Sequence, residues 1–390
     1  MTAEVGVRKR LRIAVLNRVF SPTGGGAERY SIALVEQLAQ RHEIHVFAQQ
    51  MDHHWPGVTY HRVPVPLVKP RWINQLWYAT ATWWATRRGF DVVHSHENTW
   101  HGGVQTVHVL PIYYNLFLGR SGLSRWLRWI KVVTSPRLLV YVWLEHLRYA
   151  PQSGRFIVAT SQSLEAIMRT HYPQTTPMLR AITPGVSAVP GKTVDVDKRA
   201  ARTALGLPQD VPCILFVGND YRKKGLDTLL DALTQLPDDL ILAVVGNPAH
   251  IAEFRALAVS AGLGGRVFFL GSQKMMTSAY QAADCLAHPT REDTFAMVVL
   301  EAMAHGLPVV VSGEPFCGIA GLLTHDGNAL LLSDPRDARA LATQLQALLQ
   351  SALLRKRLSH QALAFAREHL WPQIALEQEK LYISSADKPS

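Results

Sequence analysis

Cysteine is scarce in this 390-residue chain. Cys213, Cys285 and Cys317 stand far apart, with no Cys-x-x-Cys pair. Such a pattern supports neither a disulfide framework nor a thiolate zinc site, and a reducing compartment is the expectation. Long apolar runs are missing too. No uncharged, mainly apolar stretch reaches the roughly eighteen residues that a membrane-spanning helix needs. The N-terminal MTAEVGVRKRLRIAVLNRVF has its apolar run broken by Arg12, Asn17 and Arg18, which argues against a secretory signal. Internal repeats and low-complexity tracts are absent, which sets aside solenoids and disordered tails. Acids are outnumbered by bases, 30 to 40, for a formal charge of +10. That balance favours an anionic partner, whether nucleic acid, phosphorylated sugar or anionic membrane.

What is present reads as globular. The chain is 48% hydrophobic and too long for one ordinary core, so two domains are expected. Apolar runs of strand length alternate with helical patterns, the rhythm of parallel α/β sheets. In the first half, Leu11–Leu16, Ile44–Phe47, Asp91–His96 and Phe156–Ser161 read as such strands. The first runs into Ser21-Pro22-Thr23-Gly24-Gly25-Gly26 and then a helical pattern over Ala27–Gln40. Strand, glycine turn and helix bring backbone close to a phosphate, though a plain flexible turn also fits. His94 and His96 share one face of an extended segment at a strand end, where ligands of α/β sheets gather. A metal pair there lacks an evident third ligand, and no metal is expected. Structural histidines are the plainer reading.

The alternating pattern restarts after the polar, Pro/Gly-containing Val189–Lys198, which reads as a linker. Ile214–Val217 leads into Gly218-Asn219-Asp220-Tyr221-Arg222-Lys223-Lys224-Gly225 and a helix over Leu226–Leu236. Cations between a strand and a helix suit a diphosphate, or are solvated surface charge. Further strands are expected at Leu240–Val245, Val267–Leu270 and Val309–Ser312, with a terminal helix over Trp371–Tyr382.

The chain is organised around Thr290–Pro308, TREDTFAMVVLEAMAHGLP. Asp293 and Glu301 stand eight apart, so one carboxylate sits at a loop-to-helix junction and the other further along the helix. The amides of Thr294, Phe295, Ala296 and Met297 are then expected at the positive helix end, ready for an anionic, hydroxyl-rich ligand. An amphipathic core helix with solvated acids is the bland alternative.

The other unusual region holds nine of the ten tryptophans, between Trp55 and Trp143. Within it, Pro111–Tyr149 carries six Lys or Arg and one acid, Glu145. Arg125, Arg128 and Lys131 interleave with Trp126, Trp129 and Ile130, a composition suited to an anionic lipid surface or to an aromatic acceptor pocket.

Glu301-Ala302-Met303-Ala304-His305-Gly306-Leu307-Pro308 resembles the second half of the carboxylate-x7-carboxylate signature of the retaining family 4 glycosyltransferases. Gly24-Gly25-Gly26 with Ala27-Glu28-Arg29, Lys223-Lys224-Gly225 and Thr183-Pro184-Gly185-Val186 also resemble that family. Together with the Cys317-Gly318 turn they look most like its lipopolysaccharide core glucosyltransferases. The usual first glutamate is Asp293 here, with Glu292 beside it, and either fits the role of sugar-binding acid.

The resemblance implies a GT-B fold of two Rossmann-like α/β domains facing a central cleft. Residues 1–188 would bind the acceptor, with helix 371–385 packing back on them, and residues 189–370 the nucleotide-sugar donor. It implies that Gly25 and Gly26 lie beneath the donor diphosphate and that Lys223 and Lys224 neutralise it, with Arg222 a rival to Lys223. Asp293 or Glu292 and the amides of residues 294–297 would hold the sugar, Glu301 the ribose, and His96 would approach the reacting centre. His96, Asp293 and Lys224 are the catalytic candidates.

The implied reaction is transfer of glucose from UDP-glucose, with retention and without a metal or other cofactor, onto a lipopolysaccharide-core or related glycolipid or polysaccharide. Another hexosyl transfer of family 4 and a sugar-nucleotide epimerase are the alternatives. A non-catalytic nucleic-acid or lipid binder would need none of these motifs, and no nucleic acid is expected. The expected location is the cytoplasmic face of the inner membrane, held peripherally through residues 112–149.

Overall fold

The computed structural model describes residues 10–22, 24–187, 194–273 and 276–387. The chain divides into two compact units, one reaching Thr183 and taking in the chain from Trp371 onward, the other spanning Pro184–Leu370. This division falls after Thr183 rather than at the expected 188. Of the expected linker Val189–Lys198, residues 189–193 lie outside the described residues. From Val194 the chain is helix, α7 of the numbering below, so the linker reading is corrected there.

The first unit has strands β1 (Arg12–Leu16), β2 (Val19–Phe20), β3 (Glu43–Ala48), β4 (Gln50–Met51), β5 (Val58–Arg62), β6 (Val92–Ser95), β7 (Val104–Val107), β8 (Phe156–Ala159) and β9 (Leu179–Ala181). Seven of them form a parallel sheet in the order β5-β3-β1-β6-β7-β8-β9, while β2 and β4 pair separately. Its helices are α1 (Gly26–Leu38), α2 (Arg71–Thr86), α3 (Ile112–Phe117), α4 (Gly122–Val133), α5 (Pro136–Arg148) and α6 (Gln162–His171). The helix Trp371–Ala386 near the chain end completes this unit, with Trp371 edge-on to Tyr30 of α1 at 5.3 Å.

In the second unit β10 (Cys213–Val217), β11 (Ile241–Val245), β12 (Val267–Gly271), β13 (Cys285–His288), β14 (Val309–Ser312) and β15 (Leu330–Leu332) form a parallel sheet in the order β12-β11-β10-β13-β14-β15. Counted within the unit this is third, second, first, fourth, fifth and sixth, the doubly wound Rossmann order. Helices α7 (Val194–Leu205), α8 (Leu226–Leu233), α9 (Ile251–Ser260), α10 (Met276–Ala282), α11 (Met297–Ala304), α12 (Ala338–Gln350) and α13 (Ala352–Arg367) accompany it. The helix Trp371–Ala386 is thus α14.

The strands CILFV and ILAVV are apolar at every position because both faces of such a sheet are covered. Cys213, Leu215 and Val217 of β10 pack with Tyr280, Val299 and Met303, whereas Ile214 and Phe216 pack with Leu229 and Leu233 of α8. Among the described residues no helix is long and apolar enough to cross a membrane.

One helix departs from the usual amphipathic plan. In α4 only Val132 is buried, while Leu123, Trp126, Leu127, Trp129, Ile130 and Val133 are exposed beside Arg125 and Lys131. A surface helix ordinarily turns its polar side to water. α4 presents indoles and aliphatics instead.

Candidate active site

In an open parallel sheet the order reverses at one place, and the loops leaving the two strands there splay apart to leave room for a ligand. In the second unit this place lies between β10 and β13. The loop after β10 is Gly218–Gly225, and the loop after β13 is Pro289–Ala296. These are the two loops that carry the lysines and the acids.

The close fit of the loops depends on Gly225. It has φ +77, in the left-handed region, and a Cβ built there would stand 2.0 Å from the Pro289 carbonyl oxygen. The approach is closed by the Arg291 amide donating to the Lys223 carbonyl at 2.9 Å. Lys224 then donates to Asp293 Oδ2 at 2.5 Å and to the Glu292 carbonyl at 3.2 Å, and Lys223 pairs with Glu292 Oε1 at 2.6 Å. The structure therefore brings Lys223, Lys224, Glu292 and Asp293 together. It does not bring Arg222 in. Its exposed guanidinium pairs with Glu253 of α9, so this rival to Lys223 belongs to a different interaction.

Asp293 differs from the expectation. Its Oδ1 accepts the amides of Phe295 at 3.3 Å and Ala296 at 2.9 Å, while His288 Nε2 stands 3.3 Å from Oδ2. Two of the four amides expected to await a ligand are thus turned onto Asp293. The reason is local. α11 starts only at Met297, and Ala296 precedes it with φ 73, which folds the preceding turn back around the carboxylate. Thr294 and Met297 remain half-buried. Burial alone would push the Asp293 carboxyl upward, but Lys224 and His288 outweigh it and hold it well below the usual carboxylate range. Glu301, one turn into α11, accepts from Tyr280 Oη at 2.6 Å.

In the first unit, Gly24 and Gly25 form the turn into α1, with Gly25 extended and Gly26 already helical. A Cβ on Gly24 would come within 2.8 Å of Glu28, so bare backbone is required there; Thr23 lies outside the described residues. The corresponding switch point lies between β1 and β6, and β6 ends in the predicted histidines. His94 is wholly enclosed, bonding Tyr382 Oη through Nδ1 at 2.6 Å and Thr106 Oγ1 through Nε2 at 2.7 Å. It is structural. His96 Nδ1 bonds His108 Nε2 at 2.8 Å, while His96 Nε2 is buried without a partner. Burial pushes His94 and His108 down to about 3 and His96 well below its ordinary value, so all three are neutral. Among the described residues no group of three potential ligands is arranged for a metal.

Sequence reasoning missed His288, Tyr280 and His108. His288 ends β13, His108 directly follows β7, and Tyr280 lies within the short helix α10. Only the strand-end position gave a signal, for His288 and His108.

Two family descriptions match the chain. "Glycosyltransferase Family 4" matches residues 24–188 and "Glycosyl transferases group 1" matches residues 197–364. The chain belongs to the family 4 glycosyltransferases. D-inositol 3-phosphate glycosyltransferase of Xylanimonas cellulosilytica is 32% identical over 246 residues, covering 60% of this chain and 58% of the relative. Lipopolysaccharide glucosyltransferase WaaG of Escherichia coli is 26% identical, covering 55% of this chain and 58% of that protein. The chain thus spans less than two thirds of these relatives' length. Among solved structures, WaaG aligns over 95% of this chain and 99% of its own, with TM-score 0.80 and 20% identity. Anabaena HepE, solved with UDP and glucose, aligns over 96% of this chain and 100% of its own, with TM-score 0.73 and 19% identity. At these identities the structural matches establish the GT-B fold of this family 4 glycosyltransferase.

Proposed function

We propose that this glycosyltransferase moves glucose from UDP-glucose to a hydroxyl of a lipopolysaccharide-core or related glycolipid acceptor, with retention at the anomeric carbon and without a metal. One observation carries the reading. Two lysines stand against two acids at the ligand-gathering point of the second unit. An arriving diphosphate would take over those cations, which supply electrostatically what a divalent ion supplies elsewhere. Glu301 is assigned to the ribose hydroxyls, His96 to the transferred sugar, and Gly25 and Gly26 to the close approach of backbone. HepE, solved with UDP-glucose, supports the choice of base and sugar.

The acceptor reading draws on WaaG and on α4, whose exposed indoles and cations suit an anionic bilayer on the cytoplasmic side. An inositol phosphate acceptor is the second reading, favoured by the Xylanimonas relative.

Thermal stabilisation by UDP, GDP and ADP, with and without EDTA, tests the donor. At a hundredfold excess over its dissociation constant a ligand adds about 2.7 kcal/mol. Stabilisation by UDP that survives EDTA and is lost in Glu301→Ala is the expected outcome. A preference for GDP would turn the reading to another hexosyl transfer. Sugar transfer onto an inositol phosphate but not onto core oligosaccharide would overturn the acceptor.

A further inference from the structure

We propose that Arg18 and Glu97 form a recognition pair for adjacent ring hydroxyls of the acceptor. This rests on the reading of the chain as a transferase with a hydroxyl-rich acceptor. β1 and β6 run parallel, and their last register pair is Leu16 with Ser95. Arg18 and Glu97 each stand two residues beyond that pair, where the order of the first sheet reverses and ligands gather. Glu97 follows directly on His96. Both backbones are fixed. The Arg18 carbonyl accepts the Gln49 and Gln50 amides at 2.9 and 3.0 Å, and the Glu97 amide donates to Ser95 Oγ at 3.2 Å.

The side chains meet edge to edge. Glu97 Oε1 accepts the Arg18 amide at 3.0 Å, and Oε2 accepts Arg18 Nε at 2.9 Å. A guanidinium has five N–H groups and a carboxylate about four lone-pair positions. Among the described residues the bond from Nε is the one hydrogen bond that the Arg18 side chain makes, so the four N–H groups on its two Nη remain. Glu97 keeps one lone pair on each oxygen. The Arg18 side chain is 31% exposed and that of Glu97 17%, so a ligand can reach the open fork. The pair therefore sets donors and acceptors side by side with no net charge. A ring hydroxyl both donates and accepts, and two adjacent ones satisfy both partners. An anion would meet the charge of Glu97, and a cation that of Arg18. A tie between the two strand ends is not needed, because the His96 amide already closes onto the Leu16 carbonyl at 3.0 Å.

Steady-state transfer from UDP-glucose onto core oligosaccharide or inositol phosphate, whichever the wild type glucosylates, tests the pair. Arg18→Ala should raise the acceptor KM at least about tenfold, the weight of a hydrogen bond to a charged group, while calorimetric affinity for UDP stays within about twofold. Glu97→Gln should move the acceptor KM the same way. In a series of acceptors each lacking one hydroxyl, at least one should be about tenfold poorer for the wild type and no poorer than its parent for Arg18→Ala. Should Arg18→Ala not fold, Arg18→Lys keeps a cation for Glu97 but loses the fork, and should raise the acceptor KM with the melting temperature unchanged. An unchanged acceptor KM would overturn the proposal. So would a loss of UDP affinity and melting temperature in step with the acceptor, the mark of a merely structural bridge. Indifference of Arg18→Ala to removal of a phosphate rather than a hydroxyl would also overturn it, in favour of an anion site. These outcomes strike the pair alone. A wild type that binds no nucleotide and transfers no sugar would sink the transferase reading, and the pair with it.

Discussion

At the scale of single residues, the second unit turns on Gly225. Its positive φ and the Pro289 carbonyl 2.0 Å from any Cβ mean that alanine cannot be accommodated without parting the two loops. Left-handed strain and the forced shift together predict a loss of at least about 2 kcal/mol for Gly225→Ala. Parting the loops also moves Lys224 away from Asp293, so thermal stabilisation by UDP should fall along with the melting temperature. A variant that melts and binds UDP as the wild type does would contradict this account.

Lys223, Lys224, Asp293 and Glu301 stand out in the sequence through their resemblance to the family 4 motifs, since spacing on a strand-turn-helix unit alone leaves a solvated charge run and an amphipathic core helix open. His288 and His108 do not. His288 ends the strand CLAH and His108 directly follows VQTV, and a polar residue at such a place looks the same whether it packs, binds or orients a neighbour.

At the scale of elements, strands made wholly of apolar residues announced themselves, and mixed or very short ones did not. β10, β11 and β14 are runs of buried apolar residues, whereas β5 (VTYHR) is mixed in burial and β9 has three residues, too few for any periodicity. The polar run before α7 looked like a linker because Pro190 and Gly191 precede a charged, weakly apolar helix.

Helix α4 was read from composition, and its exposure gives that reading physical content. Five of its apolar side chains, Leu123, Trp126, Leu127, Ile130 and Val133, recur at helical spacing and all face outward. If this face meets an anionic bilayer, each cation beside it contributes about 1 kcal/mol. Replacing Arg125, Arg128 and Lys131 by glutamine then weakens binding to phosphatidylglycerol-containing liposomes about 100-fold, and raised salt mimics the change. Cosedimentation that is unchanged in the triple variant would remove α4 from the membrane.

At the scale of the whole molecule, buried histidines set a lower limit of pH. His94, His96 and His108 lie enclosed in the first unit with Tyr30, Tyr382 and Arg148 around them, and His288 is enclosed in the second. For all four, burial is the leading cause that lowers the pKa, to about 3 for His94 and His108. In the unfolded chain these rings take up a proton near pH 6.5. Below that pH the unfolded state binds protons that the folded state refuses, so stability declines as pH falls from about 6.5 toward the folded values and is fully present above about 7. Each ring contributes a slope approaching about 1.4 kcal/mol per pH unit, and four give on the order of 5. Glu145 opposes the rings of the first unit, because burial raises its pKa and its protonation favours the folded state, but it is one group against three. Three of the four rings lie in the first unit, whose slope therefore approaches about 4 kcal/mol per pH unit. Since a whole domain is stable by only about 5–15 kcal/mol, the first unit should lose its structure between roughly pH 6 and pH 4.5. The second, with one ring, declines by only about 1.4 kcal/mol per pH unit. Urea titrations at half-unit steps of pH would show it, and His108→Asn should flatten the slope of the first unit alone. A midpoint that stays constant from pH 7 to pH 5 would mean that the rings are reached by water and charged in the folded protein, and that His96 is not the neutral donor or acceptor its surroundings make it.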